Sequence, residues 1–157
     1  MAASRDIRDH YVRCQPHLAE LQVLARHQGG EPLPHGAPEE VAQATRAVLA
    51  EAHAAGRVTV TAVASSQRRA VTAFVDARLA RLAVAAEESV AAAKGGDAAA
   101  LGRLLRRFEV LTWAMCTVQL AVYAEGAGLA PEPQPQLPAR PVRIPPARDL
   151  GRLPTGS

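Results

Sequence analysis

Aromatic residues are scarce: one Trp, two Tyr and two Phe amount to 3% of 157 residues. A core without them is built from Ala, Val and Leu, which let helices approach closely but bury little area each. Lysine is almost absent too, since Lys94 is the only one among 18 basic residues. With the abundance of Ala, Gly and Pro, this is the texture of a high-GC genome. Codon bias alone supplies such arginines, so they argue weakly for phosphate binding. Two cysteines, Cys14 and Cys116, are too few for a disulfide framework and fit a reducing compartment.

Long apolar runs are missing as well. The most apolar window, residues 110–124, is interrupted by Thr112, Thr117 and Gln119, whereas a spanning helix needs ~20 apolar residues. The N-terminus, from Met1 to Asp6, has no apolar stretch of the signal-peptide kind. The expectation is a soluble, cytoplasmic protein. Enzyme signatures are absent in the same way. There is no glycine phosphate loop, no HExxH, no nucleophile elbow and no Glu-x-x-His pair. Glu39-Glu40 and Glu87-Glu88 are neighbours in sequence, so each pair diverges on a helix. No catalytic residue, cofactor or metal ligand is expected.

What the chain does have is helical period. Leu101, Leu104, Phe108, Leu111, Met115, Val118 and Val122 alternate spacings of three and four, the stripe that another helix covers. Glycines at 29–30, 56, 95–96 and 126 each follow such a segment and suit helix ends. They divide the chain into helices at about 4–28, 38–55, 62–94 and 98–125. Ser4 is the expected N-cap of the first helix. Pro16 should bend or split that helix. Pro38, Glu39 and Glu40 suit the start of the second. Residues 57–63 carry β-branched residues but have no partner strand, and read as a connector. Asp97 is a good N-cap for the fourth helix. The fold class is therefore all-α: an antiparallel four-helix bundle over 1–128, followed by a disordered tail over 129–157. That tail is rich in Pro and Arg, with eight of the chain's 12 prolines.

Four constellations bear on chemistry. His10, Cys14 and His17 share one helical face with metal-ligand residue types, but Pro16 disturbs that turn and no fourth ligand is in reach. Residues 58–71 loosely follow a helix-turn-helix pattern without a turn between the helices. Arg103, Arg106 and Arg107 occupy one arc of the fourth helix and, with the basic tail, are the candidate nucleic-acid contact. No aromatics are interleaved with them for base stacking. The tail also matches PxxP twice, at 135–138 and 138–141.

The functional expectation is a non-enzymatic interaction or adaptor protein that self-associates. At ~100° per residue, Leu105, Trp113, Cys116 and Leu120 group on an arc that reads as roughly opposite the heptad stripe. A helix apolar on two faces is central in its bundle or shared with another subunit. Those four residues are the expected oligomer interface, in a homodimer that buries Trp113. The competing expectation is a nucleic-acid-associated accessory protein.

Overall fold

The computed structural model describes residues 2–26 and 32–126. Four helices account for nearly all of them: α1 (Ala2–Ala25), α2 (Ala37–Ala62), α3 (Arg68–Lys94) and α4 (Ala98–Gly126). They pack against one another as an all-α four-helix bundle, with no strand among the described residues. α1 lies on α2 and α4, α3 lies on the same two helices from the other flank, and α2 also meets α4. Residue numbers run in opposite senses along two of these contacts. Gln22 meets Glu109 and Tyr11 meets Gln119, while His10 meets Glu51 and Cys14 meets Val48. No helix among the described residues is long and apolar enough to cross a membrane. The tail expected to be disordered, with its PxxP matches, lies outside the described residues.

The core is the sum of the predicted stripes. Ile7, Tyr11, Cys14, Leu18 and Leu21 of α1 are buried, as are Val41, Ala44, Val48, Ala52 and Ala55 of α2. α3 contributes Val75, Leu79, Leu82 and Ala86. The helix ends follow local chemistry. Asp97 Oδ1 accepts the Ala100 N–H at 3.0 Å, which satisfies one of the open donors of the first turn. Gly96, at φ 71°, closes the end of α3.

Four sequence expectations are corrected. α1 is not split at Pro16: it runs as one helix from Ala2 to Ala25, because its tertiary contacts to α2 and α4 outweigh one missing backbone bond. It begins at Ala2, so Ser4 is a buried helical residue and not the cap. Gly56 does not end α2. It sits within the helix, fully covered, and a Cβ there would stand 3.1 Å from Val75 Cγ1 and 3.6 Å from Gln119 Nε2. The glycine lets α3 and α4 approach α2. Residues 57–62 are therefore the last turns of α2 and not a connector, which makes α3 start at Arg68 after a 3-10 turn at Ser65–Gln67.

Buried hydroxyls are answered locally. Thr45, Thr59, Ser89 and Thr112 each donate to the carbonyl four residues back, at 2.7, 2.9, 2.8 and 2.8 Å. A buried polar link between side chains crosses between helices instead: the Tyr11 hydroxyl donates to Gln119 Oε1 at 2.8 Å, and Gln119 Nε2 donates to the Ala52 carbonyl at 3.4 Å.

Candidate functional site

The arc expected at an oligomer interface is covered within the single chain. Leu105, Trp113, Cys116 and Leu120 are 2%, 6%, 1% and 7% exposed. The reason is geometric. The residues between this arc and the heptad stripe, Thr112 and Gln119 among them, are also buried, so α4 presents one broad covered face and not two opposite ones. The outer edge of the stripe, Leu104, Leu111, Val118 and Val122, is only half-buried.

The surface left uncovered lies where α1 meets α4. Val12, Pro16, Ala19 and Val23 fall four, three and four residues apart on the outer side of α1, and all are exposed. Val12 and Val23 expose 45% and 57% of their surface, and Val110 of α4 exposes 60%. Single exposed valines are ordinary, but a helically spaced set is an apolar strip. Beside it runs a groove of about 550 Å³. α1 supplies Val12, Gln15, Pro16, Ala19 and Gln22 to its lining. α4 supplies Trp113 and Glu109, the one charged side chain on the lining. Gln22 Nε2 donates to Glu109 Oε2 at 2.9 Å and fixes that carboxylate. The indole Nε1 of Trp113 is buried and has no hydrogen-bond acceptor. Buried N–H groups are nearly always paired, so an unanswered one asks for an explanation. Sequence reasoning missed this strip because Pro16 was read as a helix breaker. The four–three–four spacing was present in the sequence.

The arginine cluster is divided. Arg106 Nη1 donates to the Ala25 carbonyl at 3.3 Å, closing the end of α1 where its last carbonyls are open. All three arginines are exposed. On α3, Phe74 is 39% exposed but Arg78 stacks 3.7 Å from its ring centroid, which covers one face.

His10, Cys14 and His17 do not converge on a common point. Cys14 is buried and its Sγ lies within reach of the His10 and Val48 carbonyls. Burial pushes its thiol, and that of Cys116, up to about 12, which disfavours the thiolate that attacks or ligates. His17 stands 3.8 Å from Glu20. Among the described residues no group of three His, Cys, Asp or Glu is placed to hold a metal ion. Two further hollows, of about 280 Å³ between α2 and α3 and about 500 Å³ between α1 and α2, gather no such cluster either.

His10 instead joins Glu51 and Arg13. His10 Nδ1 stands 2.7 Å from Glu51 Oε1, and Arg13 Nε donates to the same oxygen at 3.2 Å. Arg13 Nη2 lies 2.8 Å from the same His10 Nδ1, so the three side chains form one polar cluster. Partial burial pushes the Glu51 carboxyl up, but the bonds from His10 and Arg13 outweigh it and hold the group below its ordinary range. A depressed folded-state value means that Glu51 stabilises the fold above the ordinary glutamate pKa of ~4.3, and that this is lost as pH falls further. The pair is partly exposed, so the effect is about 1 kcal/mol or less. Urea unfolding at pH 6 and pH 3 should lose that amount more in the wild type than in Glu51→Gln. Equal losses would remove Glu51 from the acid response.

No protein-family model, no curated protein and no solved structure matches the chain.

Proposed function

We propose that this protein is a non-enzymatic, cytoplasmic interaction module that self-associates, and that its working surface is the outer face of α1 and α4. The observation that carries the reading is the exposed strip of Val12, Pro16, Ala19 and Val23, which borders the groove shared with α4. An apolar strip at this spacing meets a second helix face as readily as the inner stripes do. Burial of both thiols, with no disulfide, fits a reducing compartment. The nucleic-acid reading is weaker, because Arg106 also serves the Ala25 carbonyl and three exposed arginines make a small basic patch.

Self-association is measured by sedimentation over a concentration series. The wild type is expected to form a dimer whose affinity falls at least about tenfold in Val12→Asp/Val110→Asp, since each charge would be buried at the contact. Both positions are exposed in the single chain, so the fold should survive, with circular dichroism as the control. A wild type that stays monomeric at high micromolar concentration would sink the self-association.

A further inference from the structure

We infer that the second copy lies antiparallel on the outer face of α4, about a two-fold axis at the level of Met115 and Cys116. This rests on the self-association proposed above, and adds which residues meet and which way round.

The face is defined by position around α4. Residues 110–124 hold no charged side chain. At ~100° per residue, Val110, Ala114, Thr117 and Ala121 fall within about 60° of one another, at spacings of four, three and four. Val110, Ala114 and Ala121 are exposed and Thr117 is half-buried. Val110 and Thr117 stand about 60° and 40° round the helix from Trp113, so the face begins where the groove ends. Half-buried Leu111, Val118 and Val122 extend it on the far side.

Charge and spacing make this face complementary to itself in one direction. Exposed Arg103, Arg106 and Arg107 stand at one end, and exposed Glu125 at the other. A parallel copy would set arginines on arginines and Glu125 on the partner's Glu125. An antiparallel copy centred between residues 115 and 116 sets Val110 against the partner's Ala121, and Ala114 against the partner's Thr117. The same axis brings Arg107 level with the partner's Glu125, to within about 1.5 Å along the helix. Arg107 and Glu125 both lie about 60° from Val110, away from the groove, and a two-fold between antiparallel helices joins like sides. Two equivalent ion pairs therefore close the contact.

The α1 strip fits the same axis. The Gln22–Glu109 and Tyr11–Gln119 bonds put residues 115–116 of α4 level with Gln15 of α1. Val12, Pro16, Ala19 and Val23 are centred between residues 17 and 18, about 4 Å further along. One axis thus turns each strip toward its own counterpart, Val12 toward the partner's Val23.

Arg107→Glu and Glu125→Arg are each expected to weaken dimerisation about tenfold in sedimentation, since each turns two surface attractions into repulsions. They change the net charge in opposite senses, so a general charge effect cannot weaken both. The double exchange on one chain, or an equal mixture of the two single variants, should regain wild-type affinity. Direction is read separately by mild oxidation of cysteine variants, with the wild type as background because Cys14 and Cys116 are buried. Copies carrying Val110→Cys should cross-link to copies carrying Ala121→Cys. Two Val110→Cys copies should not, because about 16 Å of helix separates them, beyond disulfide reach. A wild-type dimer that both charge variants leave intact, or a disulfide between two Val110→Cys copies, would overturn the antiparallel seat while self-association stands. A wild type that stays monomeric would remove both.

Discussion

Phe108→Ala is expected to lower the unfolding free energy by about 3–5 kcal/mol. Phe108 is fully buried, in a chain with two phenylalanines. Its neighbours in the core are mostly Ala, Val and Leu held on helices. Short side chains cannot swing into the space a ring leaves, so both the lost transfer energy and the cavity are felt. Small domains are stable by about 5–15 kcal/mol, so the variant should sit near the edge of folding. Urea unfolding should show a midpoint far below that of the wild type with a similar slope. A loss under about 1.5 kcal/mol would mean that the core collapses around the gap, and that the packing described for α4 is wrong.

Gln119→Ala should cost about 2–4 kcal/mol, by a different route. The substitution removes buried volume and also leaves the Tyr11 hydroxyl, 1% exposed, without its acceptor. Burial and nearby thiols already hold the Tyr11 phenol well above its ordinary range, so ionisation offers no escape at neutral pH. Tyr11→Phe combined with Gln119→Leu takes away both partners and fills the space with carbon. That pair should recover most of the loss, because two apolar groups of similar shape leave nothing unsatisfied. If the double variant is no more stable than Gln119→Ala, the bond carries less than its geometry suggests.

Much of the fold was legible in the sequence. The inner stripes of all four helices are read directly from spacings of three and four, and Asp97 and Pro38 stand where helix starts need them. The failures share a cause. Gly56 and Pro16 were weighed by intrinsic propensity, as a stop and a break, while packing kept both helices intact. At Gly56 side chains of α3 and α4 both come up against α2, and the missing side chain is what makes room. The apolar arcs of α4 were read as opposite because Thr112 and Gln119 between them are polar by type. Both are fully buried, one bonded to its own helix and one to α1 and α2. Residue type alone could not say that those positions face inward. The candidate site was less legible than the fold. Trp113 drew attention, yet the strip that borders it lies on α1, where a proline concealed an apolar repeat.

The hydroxyls that donate to their own helices leave a lasting mark on the bundle. Thr45, Thr59, Ser89 and Thr112 ask nothing of a neighbouring helix, and Ala-rich faces are smooth. Surfaces of this kind resemble ungraduated rails, along which a displacement by one helical turn, 5.4 Å, would re-cover similar side chains. The Tyr11–Gln119 bond acts as the pin through those rails, since a one-turn slip would strand both groups in a dry interior. Gln22–Glu109 and Arg106–Ala25 tie the same two helices nearer the surface, so the Tyr11–Gln119 bond is the dry part of what sets their alignment and, with it, the shape of the groove between them.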